Sequence, residues 1–272
     1  MKRTKGVLGW VRWWWRWRTL PRVEGTSSFW RPLLEARKSP SAGTAAAAVR
    51  TRTGQLQQRR ETLALLDFGA GQPRDGQVFH RRVADLARSA GTDRNKALWL
   101  HAVVEHRWRQ RSPEAGPARI LEVGTSLGLG ALAMLSGRHD GIAYTGLEGS
   151  PEVAQWAQAE VSRWNGDVVV GPFDLTLPEV LSAHDGWDVV FLDGHHEGAA
   201  LKDQWNQIRS HLRPGACVIL DDIRWSDDMH MAWLALASQP DVCALDLFRM
   251  GVLTLQDAGD APIFRVPTQL LA

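Results

Sequence analysis

The chain has 272 residues, 44% of them hydrophobic and 23% charged, enough for one substantial core with an appended segment. Its formal charge of +2 conceals a split, since residues 1–60 hold 14 lysines and arginines against Glu24 and Glu35, leaving 18 bases and 28 acids for the remainder. The two cysteines, Cys217 and Cys243, supply neither a disulfide framework nor a zinc spacing, and no apolar run reaches the roughly 18 residues that cross a bilayer.

Arg12, Arg16 and Arg18 interrupt the N-terminus, so it lacks the unbroken apolar core of a signal peptide, and a reducing cytoplasmic setting is expected. Six of the 14 tryptophans lie in the first 30 residues, and Trp10, Trp13, Trp14 and Trp17 follow the i, i+3, i+4, i+7 spacing of one helix face. Two readings stay open for this basic arm. It docks on its own domain or on a second subunit, giving a homodimer, or it lies in the headgroup region of an anionic membrane.

Residues 39–54 read as a flexible connection, so that 1–54 form an arm and linker, 55–118 a helical lead-in and 119–272 the main domain. Gln55 to Leu66, Val78 to Ala90 and Lys96 to Arg109 are expected to be helices. Between the first two, Leu65-Leu-Asp-Phe-Gly-Ala-Gly71 ends an apolar run in a carboxylate and glycines. No strand closing in an acid follows at about 20 residues, so this stretch reads as a structural loop.

A second such stretch, Arg119-Ile-Leu-Glu-Val-Gly-Thr-Ser-Leu-Gly-Leu-Gly130, passes that test. It predicts a buried strand, a tight turn and a helix. Its glycines fall at 124, 128 and 130, with Ser126 where a dinucleotide fingerprint needs glycine, which argues against pyrophosphate binding. Downstream, strands are predicted at 120–123, 142–147, 168–170, 187–192, 216–220, 242–247 and 251–255. Helices are predicted between them at 129–136, 151–164, 177–183, 199–212 and 228–237. Such alternation predicts an α/β fold, a Rossmann-like doubly wound sheet of seven strands, mostly parallel and covered by helices on both faces. The short link 248–250 forces an antiparallel end.

Glu148 closes the second strand, 24 residues beyond Gly124, where a carboxylate accepts hydrogen bonds from ribose hydroxyls. Asp174, following the third strand with Phe173 as an apolar wall, is expected near an adenine. Val189-Val-Phe-Leu-Asp-Gly-His-His196 and Val218-Ile-Leu-Asp-Asp-Ile223 end at the same sheet edge, so Asp193, Asp221 and Asp222 are expected to converge there. Three packed carboxylates repel one another, and a hard divalent ion such as Mg²⁺ would relieve that repulsion.

The segment Glu122-x-Gly124-x-x-x-Gly128 resembles the first motif of Rossmann-like, class I S-adenosylmethionine-dependent methyltransferases. Taken with Glu148, Asp193 and Asp221-Asp222, the domain is similar to the metal-dependent O-methyltransferases of the catechol type. The resemblance implies S-adenosylmethionine held by Glu122, Gly124, Thr125, Ser126, Gly128, Glu148, Phe173 and Asp174, and Mg²⁺ held by Asp193, Asp221 and Asp222. That family has Asn where Asp222 stands, and a catalytic Lys where His196 stands. His196 is then the expected base, because imidazole is the side chain that most readily exchanges a proton near neutral pH. The expected reaction is metal-assisted O-methylation of a small hydroxylated acceptor. Amino-group methylation of nucleic acid is disfavoured, because Leu-Asp-Gly-His replaces the Asn-Pro-Pro-Tyr type of motif and the bases cluster in the arm. A membrane-attached cofactor-binding protein without catalysis is the remaining alternative.

Overall fold

The computed structural model describes residues 27–67, 77–89, 91–112, 114, 116–137, 141–255 and 263–265. The tryptophan stripe at 10–17 lies outside them, as does the 68–71 part of the first glycine-bearing stretch. No helix among the described residues is long and apolar enough to cross a membrane.

The stretch read as a flexible connection is a helix. After α1 (Ser27–Arg37), Ser39 caps α2 (Pro40–Leu56) by accepting the Ala42 N–H at 3.2 Å, with Pro40 in the first turn, where its missing donor costs nothing. The alanine run has high helix propensity and puts Ala42, Ala45, Ala46 and Val49 on one buried stripe, so what resembled a linker is a packing face.

The two helices expected on either side of residue 70 are also corrected. Helix α2 stops at Leu56, and β1 (Thr62–Asp67) pairs antiparallel with β2 (Gln77–Arg82), before a short α3 (Val83–Ser89). Alternate backbone N–H groups of β1 find acceptors on another element: Ala64 donates to Glu152 Oε2 at 2.7 Å and Leu66 to Ser150 Oγ at 3.0 Å. This period-two satisfaction of the backbone is available to a strand and not to a helix, and it overrides the helical spacing of the apolar residues. The helix expected at 96–109 is present as α4 (Arg94–Arg109), capped by Asp93.

The main sheet has the order β10-β8-β9-β7-β6-β3-β4-β5. Its strands are β3 (Ala118–Val123), β4 (Ile142–Glu148), β5 (Asp167–Val170), β6 (Trp187–Leu192), β7 (Leu212–Leu220), β8 (Val242–Asp246), β9 (Gly251–Leu255) and β10 (Ile263–Arg265). The seven predicted strands are all present, and β10 adds a short parallel edge beside β8. Pairs among β3 to β7 are parallel, whereas β9 runs antiparallel to both β7 and β8, as the short link requires. Between strands lie α5 (Leu129–Leu135), α6 (Pro151–Val161), α7 (Phe173–Ser182), α8 (Gly198–Ile208) and α9 (Asp227–Ala237).

Two apolar layers form, one on each face of the sheet. Trp99, Leu100 and Met134 belong to the first, together with the inner stripe of α2; Trp205, Trp233 and Leu201 belong to the second. β6 is buried along its whole length, the pattern of a central parallel strand covered on both faces.

Candidate functional site

The register places the site. Val123 lies opposite both Leu147 and Leu192, and Leu192 lies opposite Leu220. One residue further on, Gly124, Glu148, Asp193 and Asp221 therefore stand side by side at the carboxyl edge. Backbone bonds continue the ladder there, from Asp193 N–H to Val123 O at 2.9 Å and from Asp221 N–H to Leu192 O at 3.0 Å. The chain leaves β3 toward β4 on one side and returns to β6 on the other, so this edge is a topological switch point, where open α/β sheets bind ligands.

The glycines of the turn serve the fold. Gly124 has φ +92°, and a Cβ there would stand 2.7 Å from the Gly194 Cα. Gly128, at φ +77°, is the N-cap of α5, and its Cβ would press on Glu160. Gly130 leaves room for a carboxylate oxygen of Glu122, which a Cβ would strike.

Glu122 itself lies beneath the turn, 1% exposed, hydrogen-bonded by the Tyr144 hydroxyl and apart from the cleft. Burial pushes its carboxyl up to about 8, against the pull of the Tyr144 hydrogen bond, and so favours the neutral acid. Thr125 is also buried, its hydroxyl donating to Leu147 O at 3.3 Å.

Above the turn is a cleft of about 300 Å³. Gly124, Ser126, Glu148, Phe173, Asp193 and His196 all line it, which brings together six of the residues expected there. Glu148 accepts the Ser126 N–H at 2.8 Å on one oxygen and the Ser150 N–H at 2.9 Å on the other. Burial raises its pKa and those backbone donors oppose the rise. A carboxylate oxygen has a second lone pair, so capacity remains for a diol. Phe173 begins α7 and packs so closely on Gly194 that a Cβ there would stand 2.5 Å from its ring. Asp174 falls in the exposed first turn of α7, where its charge favours the helix dipole, and does not line the cleft. His195 lies edge-on to Phe173 at 5.2 Å, and His196 lies against Trp225, with 5.3 Å between ring centroids. Trp225 is 58% exposed, while Trp233 is fully buried against Gly251.

The three aspartates do not form the expected metal centre. Lys96, in the first turn of α4, inserts its ammonium between two of them, 2.6 Å from Asp193 Oδ2 and 2.5 Å from Asp221 Oδ2. Asp222, on a left-handed backbone at φ +46°, faces Arg249 at 3.6 Å. Among the described residues no group of three histidine, cysteine or acidic side chains has the arrangement of a metal site. The repulsion that a divalent ion was expected to relieve is relieved by the protein's own cations, so these residues do not fit Mg²⁺.

Burial works against the charge on Lys96, but Asp193 and Asp221 outweigh it and hold the ammonium above its ordinary range. Burial pushes the Asp193 carboxyl up to about 8. Burial would likewise raise Asp221, yet Lys96 brings it below the ordinary range. The two carboxylates are thus coupled through the ammonium they share. Asp222 is raised by burial and by the Asp221 charge, against Arg249 and His196.

Lys96, Arg249, Leu65 and Leu66 are among the residues at or beside the cleft that sequence reading missed. Leu65 and Leu66 line the cleft from β1, and so the described part of the stretch read as a loop, residues 65–67, ends a strand that walls the site. Lys96 carries no motif and stands 97 residues before Asp193; its one local signal is the Asp93 cap that begins its helix.

Fold and cleft together define a Rossmann-like domain with its cleft at the switch point. Residues 121–223, from β3 to the Asp221–Asp222 turn, match the family model described as a methyltransferase domain. No curated protein matches the chain. Similar solved structures include the O-methyltransferase from Bacillus cereus in complex with SAH, 19% identical over 58% of this chain and 90% of that one, TM-score 0.43. Another is TomG from Streptomyces achromogenes, an O-methyltransferase of tomaymycin synthesis in complex with SAM, 17% identical over 90% and 99%, TM-score 0.49. SAH-bound PaMTH1 of Podospora anserina is 16% identical over 88% and 98%, TM-score 0.48.

Proposed function

We propose that this protein transfers a methyl group from S-adenosylmethionine to a hydroxyl oxygen of a small acceptor. The observation that carries the reading is one cleft lined by the Gly124–Ser126 turn, by Glu148 at the end of the neighbouring strand and by Asp193 with His196 on the far side. Glu148, pinned by two backbone donors, would hold the ribose hydroxyls. Phe173 would lie against the adenine, and the Ser126 end of the turn would border the amino acid portion. When bound, S-adenosylmethionine supplies a sulfonium-activated methyl group.

The chain's own work is orientation and proton removal. Held against Trp225, His196 presents its imidazole to the cleft, where a ring nitrogen takes the proton of the acceptor hydroxyl. Asp193 lines the cleft beside it and fixes the direction from which the hydroxyl approaches. Leu65 and Leu66 on one side and Phe173 in the same cleft offer apolar area to a bound molecule, which suits a small hydroxylated acceptor better than a nucleic acid phosphate chain. Both cysteines are buried thiols that form no disulfide, in keeping with a cytoplasmic setting.

Calorimetry with S-adenosylhomocysteine tests the reading. The native protein is expected to bind it and Glu148→Ala to lose most of the affinity; unchanged binding by Glu148→Ala would place the cofactor elsewhere.

A further inference from the structure

The three carboxylates expected to hold an ion each face a cation of this protein, and the manner of it is specific. The Lys96 ammonium is enclosed. Two of its faces meet Asp193 and Asp221, and the Phe191 ring centroid lies 5.2 Å away. A hard divalent ion needs about six oxygen ligands at roughly 2.1 Å for magnesium, several of them waters. That coordination shell has no place between two carboxylates already bridged by a buried amine.

Lys96 is also held from behind. Its backbone N–H donates to Asp93 at 2.8 Å, and Arg249 joins Asp93 at 2.8 Å to Asp222 at 3.6 Å. The helix that carries it is anchored by Trp99, Leu100 and Val103 in the core. Four acids and two bases thus form one cross-linked patch over the ends of β6 and β7, and only Asp193 of the lysine's two partners opens on the cleft.

We propose that Lys96 is the resident cation of the acceptor site, standing in the place of a divalent metal and positioning Asp193 to receive the acceptor hydroxyl, so that the site operates without a metal ion. The proposal rests on the methyl-transfer reading for the role of Asp193, though the occupancy by lysine does not. Lys96 is a positioning residue. Its charge cancels one of the two carboxylates, and its enclosure keeps the Asp193 side chain at the cleft wall in a single orientation. Sharing of the ammonium also explains how two acids on adjacent strands remain packed with no ion between them.

The test is a Mn²⁺ titration of the full chain, read by electron paramagnetic resonance, with S-adenosylhomocysteine binding measured on the same samples in chelator. Native protein is expected to show no saturable Mn²⁺ binding and to bind S-adenosylhomocysteine equally with and without chelator. Lys96→Ala uncovers the carboxylates and is expected to bind Mn²⁺ roughly tenfold tighter or more, a gain abolished by adding Asp193→Asn. Lys96→Arg restores a cation and is expected to remain metal-free. A saturable Mn²⁺ site in the native protein that Asp193→Asn removes would overturn the proposal, as would a folded Lys96→Ala that binds Mn²⁺ no better than the native chain. Should Lys96→Ala not fold, the native titration decides alone. Failure of S-adenosylhomocysteine to bind native protein would instead count against the methyl-transfer reading and leave the metal result intact.

Discussion

The two halves of the cleft handle buried charge in opposite ways. On the β3–β4 side, Glu148 is satisfied by backbone N–H groups of Ser126 and Ser150, the nearer only two residues along the chain. On the β6–β7 side, Asp193 and Asp221 depend on one ammonium that arrives from 97 and 125 residues away. The first half is a property of a strand, its turn and the next strand, and keeps its form wherever that unit folds. The second exists only when α4 has docked. The cofactor half is therefore local and resilient, while the acceptor half is a tertiary assembly that can be rebuilt by changing one residue far from it.

The sharpest way to break this contrast is to remove the distant cation. Lys96→Ala leaves two buried carboxylates sharing a site without a partner, and unfolding in urea at pH 7 is expected to show a loss of about 3–5 kcal/mol. If the loss stays below about 1 kcal/mol, the acceptor half is not held by the lysine.

Removing the local acid has a smaller effect on the fold and a specific effect on the ligand. Glu148→Ala is expected to weaken S-adenosylhomocysteine by about 1.5–3 kcal/mol, roughly 10- to 150-fold in calorimetry, since hydrogen bonds to an ionised group are lost. The same variant should leave Mn²⁺ behaviour untouched, which separates the two halves experimentally.

Glu122 sharpens the comparison through pH. Its folded pKa of about 8 lies above the 4.5 of a free carboxyl. Between those values the unfolded chain has released a proton that the folded chain keeps, so the native protein loses stability as pH rises, at up to about 1.4 kcal/mol per pH unit, and the loss levels off above pH 8. Glu122→Gln keeps an acceptor for Tyr144 and has no proton to lose. Denaturation of both proteins from pH 5 to 9 is expected to show a widening advantage for the glutamine variant up to about pH 8. Parallel curves would mean that Glu122 is ionised in the native state.

The smallest expected effect concerns the wall of the cleft. Ser150→Ala removes the acceptor of the Leu66 N–H while sparing the backbone N–H that Glu148 uses. A cost of about 1 kcal/mol is expected, with faster amide exchange confined to residues 62–67. Exchange that accelerates equally in β3 would show that the hairpin and the sheet open together.

How much of this was legible in advance follows the same division. The strands at 187–192 and 251–255 coincide with their predicted limits, because a buried parallel strand is a continuous apolar run and a three-residue link permits only an antiparallel return. Glu148 and Asp193 were picked out by their position at strand ends, which register brings to one edge. Glu122 was assigned to the ligand because strand period alone does not tell which carboxylate sinks beneath a turn and which rises above it.

The errors lie where propensity met packing. The Ala45–Ala48 run was read as a linker, although alanine is the best helix former and needed only a partner surface. Thr62 to Leu66 looked helical until its N–H groups were matched to Ser150 and Glu152 of another element.

By itself the sequence determined the order of strands and helices from β3 to β9, the glycine turn after β3, the acid that ends β4 and the presence of acids at the ends of β6 and β7. Those features are set by periodicity, by φ values open to few residues and by short links, all of which act within a few dozen residues. Only the tertiary structure decided that the hairpin walls the cleft, that Glu122 is buried, and that a lysine fills the place expected for a metal. Each of these is a choice of partner for a buried polar group. That choice is made by whichever donor or acceptor the packing brings within about 3 Å, however far along the chain it lies.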